Sequence, residues 1–328
     1  TVAPPELYAF KATLLSGRGY HGKGAFNVSD ERIEQFAQQN LDIMDKFGTD
    51  MQFLSPRPFQ LMHSEKPESI VHWFAEVNND VIAKQVAAHP DRFQGIAGLP
   101  QVDGAKDSSH AIPELERTVN ELGFIGCLIN PDPGEGTTYT PPMDDEYWFP
   151  LYEAMVKLDV AGLIHSAACK DPRESYSAHF ITTESQTVLN LARPSSKVFS
   201  TFPNLRIIVA HGGGSVPYQI GRWRVRRNND MKANPALEDF DTSLRRMWYD
   251  TNLYNKEALD YCFQICGTDR VLFGTENPGS GTSIDPKTGK QTDDLAPVID
   301  EIEWLSADDK KKIFEDNARE VFTRAKIS

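Results

Sequence analysis

The stretches VAGLIHSA (residues 160–167) and RIIVAHGGG (residues 206–214) decide which fold is predicted for this 328-residue chain. In each stretch, a short apolar run of the kind that forms a buried strand ends directly in a histidine. Similar short apolar runs recur along the chain, at residues 51–54, 95–99, 124–129, 247–251 and 271–273. The sequence therefore predicts seven buried strands, several of them with polar residues at the carboxyl end.

Longer amphipathic segments separate these runs, and residues 29–47 form the clearest example. Ser29 is a typical N-cap, and Gly48 follows the last apolar position as a typical helix end. Strands that alternate with helices indicate βα units around a parallel sheet. No GxGxxG motif follows the first predicted strand, which disfavours an open dinucleotide-binding sheet. We predict an α/β fold of the (βα)8 TIM-barrel type, with its first strand at or before Thr1.

The whole chain, residues 1–328, is expected to form one barrel domain, because α/β barrels commonly hold about 250 residues in a single domain. Two long connections rich in Gly, Pro and Asp, residues 131–146 and 277–294, are predicted to cover the active site.

The formal net charge of −13 disfavours nucleic acid and anionic membranes as partners. No apolar run reaches the roughly 18 residues of a membrane helix. The four cysteines lack disulfide or zinc spacing, which favours reduced thiols in the cytoplasm.

Ionisable residues follow three of the predicted strands: His165, His211 and Glu276. In a barrel the carboxyl ends of the strands converge on one mouth, where the chemistry takes place. A neutral imidazole is a good ligand for zinc or manganese, and a carboxylate can bind a metal or accept a proton from metal-activated water. The alternative is that two hydrogen-bonded histidines and a salt-bridged glutamate are purely structural. Convergence of all three on one point would favour a functional site.

Two arginines are candidate clamps for a substrate carboxylate, because the guanidinium fork binds a carboxylate through two parallel hydrogen bonds. Arg57 lies between two prolines directly after the first predicted strand. Arg222 belongs to a segment with four arginines, residues 221–227, which is equally typical of a solvated helix face. The other residues predicted to contact substrate follow a strand or lie in the loop after residue 165: Ser55, Asn130, Tyr176 and His179.

Several longer motifs are more specific than these single residues: SPRPFQ (55–60), HSAACKDPRESYSAHF (165–180), HGGGSVPYQIGR (211–222) and LFGTENPG (272–279). Through them the chain resembles the amidohydrolase superfamily, in its branch of metal-dependent decarboxylases and hydratases. The resemblance implies one divalent metal, expected to be zinc, bound by an HxH pair on the first strand together with His165 and Glu276. It also implies that His211 is a catalytic residue close to the metal.

The same resemblance implies a hydratase of aromatic-acid degradation that adds water to the C=C bond of a small unsaturated keto-tricarboxylate. Glu276 stands where the decarboxylases of this branch usually have aspartate, which favours hydration. Glu276 is then expected to deprotonate the attacking water, and His211 to protonate the enolate. The resemblance further implies a homo-oligomer, a dimer or larger. An HxH pair is absent from residues 1–328, so metal binding by this chain is expected to be impaired.

Three alternatives stay open on the residues alone. The first is a metal-dependent, non-oxidative decarboxylase of an aromatic or muconate-type acid, which uses the same metal and histidines. The second is a metal-dependent hydrolase of a lactone or an amide. The third is a non-catalytic barrel that binds an acid or a partner subunit, and for this barrel a stoichiometric metal ion is not expected.

Overall fold

The computed structural model describes residues 4–279 and 282–327, apart from the side chains of residues 59 and 176. At its centre is a seven-stranded parallel sheet whose strands are hydrogen-bonded in chain order. The strands are β1 (Gln52–Leu54), β2 (Phe93–Gly98), β3 (Gly126–Ile129), β4 (Ala161–Ile164), β5 (Ile207–Val209), β6 (Trp248–Asp250) and β7 (Val271–Leu272). Each strand overlaps one predicted apolar run, so the predicted parallel sheet is confirmed.

Helices alternate with the strands and cover the outside of the sheet. In the described ranges they are α1 (Pro5–Gly17), α2 (Asp30–Phe47), α3 (Glu68–Ala88), α4 (Ile112–Asn120), α5 (Phe149–Leu158), α6 (Tyr176–Ala192), α7 (Val198–Thr201), α8 (Ile220–Ala233), α9 (Phe240–Leu244), α10 (Lys256–Cys266), α11 (Ala296–Asp300), α12 (Ala307–Lys311) and α13 (Asn317–Val321). None of these helices combines the length and the apolar character needed to cross a bilayer.

Helix α2 shows how local sequence sets the ends of an element. The Ser29 hydroxyl accepts a hydrogen bond from the backbone N–H of Arg32, a donor that has no partner within the helix. At the other end Gly48 has φ of 68°, a left-handed conformation that glycine adopts without steric cost. Ile33 and Met44 are buried on the predicted apolar stripe. Both predicted ends of this helix are therefore confirmed.

The sheet is curled, with a distinct inner and outer face. One apolar cluster takes a side chain from every strand: Phe53, Ile96, Leu128, Leu163, Ile208, Trp248 and Leu272. Neighbouring strand residues such as Cys127, Ile207 and Tyr249 belong instead to a larger cluster shared with the helices. Successive side chains of a strand point to opposite faces, so the first cluster fills the inside of the curl. Phe322, which follows α13, completes this inner cluster.

The two edges of the sheet approach each other. The Gln52 side chain at the start of β1 donates a hydrogen bond of 2.6 Å to the backbone carbonyl of Asn277, which follows β7. Within the described residues β1 and β7 do not pair directly. The arrangement agrees with a TIM-type barrel, in which one more strand closes the circle. The prediction that this strand lies at or before Thr1 stays a prediction, because residues 1–3 are outside the described ranges.

Candidate active site

His165, His211 and Glu276 meet at the carboxyl edge of the sheet. They follow β4, β5 and β7 respectively, and the centroids of the two imidazole rings are 5.0 Å apart. Glu276 Oε1 lies 3.4 Å from His165 Nε2 and 3.5 Å from His211 Nε2. The predicted convergence of these three residues is therefore confirmed, although their individual roles stay predictions.

Two of the three residues have strained backbones. His211 has φ of 51° and Glu276 has φ of 55°, the left-handed region that non-glycine residues rarely adopt. Such conformations persist only where the surroundings enforce them, and they concentrate at functional sites. Next to His211, a Cβ atom on Gly213 would lie 2.8 Å from the Tyr249 ring. The glycines after His211 thus let the turn pass close to β6.

The His165 side chain is oriented by its own loop. Its Nδ1 lies 2.7 Å from the backbone carbonyl of Ser166, so Nδ1 carries the hydrogen and donates it. This hydrogen bond turns Nε2 toward Glu276, whose Oε1 lies 3.4 Å away. A carbonyl that fixes the second nitrogen in this way is typical of metal-binding histidines.

The His211 side chain is held by Glu184, a fully buried carboxylate of α6. His211 Nδ1 lies 2.9 Å from both Glu184 oxygens, and Phe180 of the same helix stacks on the imidazole ring. Burial by itself lowers the pKa of His211, but the Glu184 carboxylate outweighs burial and raises that pKa well above its usual value. Burial also raises the pKa of Glu184. The pair is thus built to keep a proton on the imidazole.

Glu276 is kept ionised by its hydrogen-bond donors. Burial alone raises the pKa of this carboxyl, but hydrogen bonds from His165, His211 and Tyr254 outweigh burial and hold its pKa well below the usual range. The Tyr254 hydroxyl donates to Glu276 Oε2 over 2.5 Å. Asp250, at the end of β6, accepts hydrogen bonds from the backbone of Gly212 and from Asn252, which fixes the turn beside His211.

Glu184, Tyr254 and Asp250 were not predicted from the sequence. Asp250 carries a usable signal, because it shares the inward parity of Trp248 on β6 and ends the strand. Tyr254 follows the same strand by four positions, which is a weaker hint. Glu184 lies among polar residues within α6, and no spacing or motif distinguishes it there.

The three-residue cluster fits a divalent cation. One ligand atom from each of His165, His211 and Glu276 lies within 4.8 Å of the others. Two imidazoles and a carboxylate are donors that zinc and related transition metals accept. Glu276 Oε1 lies 3.4 Å and 3.5 Å from the two Nε2 atoms, close to the roughly 3.3 Å that separates two ligands of a tetrahedral zinc ion.

The predicted substrate contacts lie in different surroundings. Ser55 and Arg57 follow β1 at the same edge of the sheet, and both are partly buried. Arg222 is exposed on α8, and no contact described for it reaches the three-residue cluster. Tyr176 is the first residue of α6, but its side chain is not among the described ones. His179 lies between two carboxylates, 3.0 Å from Glu174 and 3.3 Å from Asp132.

Asn130 directly follows β3, but its side chain is engaged with the protein. Its Nδ2 donates to the Asp132 carbonyl over 3.0 Å and to His63 Nδ1 over 2.9 Å, while its Oδ1 accepts from the Asp132 N–H. His63 Nε2 in turn donates to the Leu99 carbonyl over 3.0 Å. Asn130 thus holds the start of the 131–146 connection, and its predicted substrate contact stays a prediction.

The buried His63 makes stability depend on pH. Burial lowers the pKa of His63 to about 4 from its usual 6.5. The unfolded chain therefore takes up this proton at a higher pH than the folded chain does. The stabilisation is full above pH 6.5 and is lost as the pH falls toward 4, by about 3 kcal/mol. Urea unfolding of wild type and His63→Gln across this pH range measures the difference.

The control for this prediction is His89→Gln, which removes a partly exposed histidine beside Glu34. The His89 variant should keep the pH dependence of the wild type between pH 4 and 6.5, whereas His63→Gln should flatten it. Equal pH dependence in wild type and His63→Gln would contradict the assignment.

Comparison with known proteins finds relatives of two activities. The family described as Amidohydrolase matches residues 7–324. The 2-keto-4-carboxy-3-hexenedioate hydratase of Sphingobium sp. (strain NBRC 103272 / SYK-6) is 36% identical over 299 residues, which are 90% of this chain and 85% of that protein. The crystal structure of 4-oxalomesaconate hydratase from Rhodopseudomonas palustris gives a TM-score of 0.87 at 30% identity, over 99% of this chain and 93% of that one. The crystal structure of 2,6-dihydroxybenzoate decarboxylase from Rhizobium gives a TM-score of 0.68 at 28% identity, over 86% of this chain and 87% of that one.

Proposed function

The chain belongs to the amidohydrolase family, and on that premise we propose that it is a metal-dependent hydratase, a carbon–oxygen lyase. Its substrate is a small unsaturated keto acid with three carboxylates, and water adds to the C=C bond. The likeness to a hydratase at a TM-score of 0.87, against 0.68 for a decarboxylase, favours hydration. The observation that carries the proposal is the ionised Glu276 between His165 and His211 at the carboxyl edge of the sheet.

A divalent metal, zinc in our proposal, would be held by His165 and Glu276, with further ligands from the strand that closes the barrel. When bound, the cation supplies a Lewis acid that lowers the pKa of water toward neutrality. His165 suits this role because its Nδ1–H is already committed to the Ser166 carbonyl, which leaves Nε2 free to act as a ligand. Metal analysis of the purified protein tests zinc against manganese.

Glu276 and His211 divide the proton transfers. Glu276 is ionised and takes a proton from the attacking water, whose oxygen adds to the carbon that lies β to the substrate's carbonyl. The C=C electrons move toward that carbonyl and form an enolate. His211, whose proton Glu184 stabilises, then protonates the α carbon. Tyr254 holds Glu276 in place through its hydrogen bond to Oε2.

Arg57 and Ser55 are the proposed contacts of the substrate carboxylates, since both lie beside the carboxyl end of β1. Asn130, Tyr176, His179 and Arg222 were predicted to contribute as well, and those contacts stay predictions. The connections 131–146 and 277–294 are proposed to cover the site within one barrel domain. In support, the first begins directly after Asn130, which follows β3, and the second begins directly after Glu276.

Self-association in the cytoplasm is part of the same proposal. Large apolar side chains are exposed at and before α8: Tyr218 is 79% exposed and Val225 is 62% exposed. Exposed apolar groups of this size are common in surfaces that bind another protein. Light scattering of the purified chain should give a mass of at least two protomers, and a monomer at micromolar concentration would contradict this part.

An assay that follows two products at once tests the function. The purified full-length protein, loaded with a divalent metal, is given an unsaturated keto-tricarboxylate in labelled water. We expect the conjugated absorbance to disappear, with one solvent oxygen in the product and no carbon dioxide. Carbon dioxide release from this acid or from 2,6-dihydroxybenzoate, without hydration, would overturn the proposal in favour of a decarboxylase.

Replacing Arg57 should weaken substrate binding more than turnover. Arg57→Ala removes a charge-assisted hydrogen bond worth about 1.5–3 kcal/mol, which corresponds to a KM raised by about 10–100-fold. Steady-state kinetics with the tricarboxylate measure the change. Arg57→Lys keeps the charge but loses the guanidinium fork, so its KM should lie between those of wild type and Arg57→Ala. A lower melting temperature with an unchanged KM would instead indicate a structural arginine.

A further inference from the structure

A second group of metal-ligating side chains lies at the start of α6, and it shares no residue with the first. Cys169 and Glu174 belong to the loop between β4 and α6, and His179 lies in the first turn of α6. One ligand atom from each lies within 4.8 Å of the others. We propose that these three side chains form a second divalent-cation site, for a thiophilic ion such as Zn²⁺. Its donors include a sulfur, whereas the His165–His211–Glu276 cluster has none.

His179 anchors this second group and is only 4% exposed. Its Nδ1 lies 3.0 Å from Glu174 Oε2, close to the roughly 3.3 Å that separates two ligands of a tetrahedral zinc ion. Its Nε2 lies 3.3 Å from Asp132 Oδ2 but has no aligned hydrogen bond among the described residues. A buried nitrogen without such a partner is uncommon in folded proteins. With Nδ1 bound to the ion beside Glu174, Nε2 faces the Asp132 carboxylate, as in most metal-binding histidines.

The charges in the second group also favour a cation. Two carboxylates, Asp132 and Glu174, flank one imidazole, and the Cys169 thiol adjoins them. Burial and the neighbouring carboxylates raise the pKa of Cys169, so the thiol keeps its proton while no cation is present. A divalent ion takes the place of the thiol proton and of the proton on the ligating nitrogen, and both protons go to solvent.

An ion can reach the second group from solvent. A cavity of about 660 Å³ is lined by Asp132, Glu174 and His179. The 131–146 connection lines the same cavity and packs against the thiol. There a Cβ atom on Gly136 would lie 3.3 Å from Cys169 Sγ. A bound ion would therefore tie the loop after β4 to α6, directly beside the 131–146 connection.

Cadmium binding tests the second site, because cadmium–thiolate bonds give an ultraviolet charge-transfer band. We expect the full chain, titrated with Cd²⁺, to develop this band to saturation, and added Zn²⁺ to remove it. Cys169→Ser should abolish the band. His165→Ala, which damages only the first cluster, should retain it. Because the first cluster has no cysteine, this readout does not depend on the proposed hydratase activity.

Two controls make the result decisive. Cys262→Ser changes a buried thiol of α10 and should leave the band intact. Glu174→Gln keeps the thiol, and it should weaken Cd²⁺ binding at least about tenfold. A band that persists in Cys169→Ser would overturn the proposal. A wild-type chain that develops no band would overturn it as well, and two protonated His179 nitrogens in the NMR spectrum would then identify His179 as an ionic bridge between Asp132 and Glu174.

Discussion

The Glu276→Gln variant is expected to lose turnover by about 10²–10⁴-fold while it keeps its fold. An amide has nearly the shape of the carboxylate and still accepts the Tyr254 hydrogen bond, but it cannot take a proton from water. The amide is also a poorer metal ligand than the carboxylate that it replaces, so metal content should fall as well. Steady-state hydration kinetics, metal analysis and thermal unfolding measure these three consequences separately.

A remote carboxylate serves as the control for Glu276→Gln. Glu238 is ionised and paired with Arg246 before β6, so Glu238→Gln removes a charge without touching the cluster. Glu238→Gln should hydrate the substrate at the wild-type rate. Wild-type turnover by Glu276→Gln would refute the assigned role, and unfolding of that variant at room temperature would show that the residue is structural.

The second large effect is expected for Glu184→Gln, which should lower kcat by about 10²-fold with little change in KM. Glu184 contacts His211 and is completely buried, so it acts on the reaction only through the imidazole. The carboxylate raises the pKa of His211, and its loss lowers that pKa. Because the protonated imidazole is the acid, the high-pH limb of the kcat profile should move to lower pH in the variant.

A double-variant cycle separates this positioning role from a structural one. In a His211→Gln background, Glu184→Gln should cause no further loss of kcat, because the group on which it acts is already gone. Losses that multiply in the double variant would indicate that Glu184 supports the site by another route. A pH profile of Glu184→Gln that matches wild type would contradict its effect on the His211 proton.

The strands could be predicted because their signal is local. A short apolar run is buried wherever it lies in the chain, and β4 and β5 were found within one residue of their predicted ends. The carboxyl ends of such strands converge on one mouth, so the ionisable residues that follow them could be expected to meet there. His165, His211 and Glu276 could thus be named together before any distance was known.

The partners of these residues could not be predicted, because they arise from long-range packing. Glu184 and His211 are 27 positions apart, and Tyr254 and Glu276 are 22 apart. No periodicity links such pairs, since the contact exists only when α6 lies against the end of β5. The same holds for His179, whose residue type suggested a substrate contact but whose neighbours in space are Asp132 and Glu174.

The sequence by itself determined the number and order of the strands and the ionisable residues at their ends. Both follow from patterns within a few residues of one another. The tertiary structure alone decided which side chains hold those residues, which protons they keep, and that Arg222 lies exposed on α8. Folding buries these groups and brings charged residues from distant parts of the chain beside them. Burial and those charges together set the pKa of each group and orient each imidazole ring.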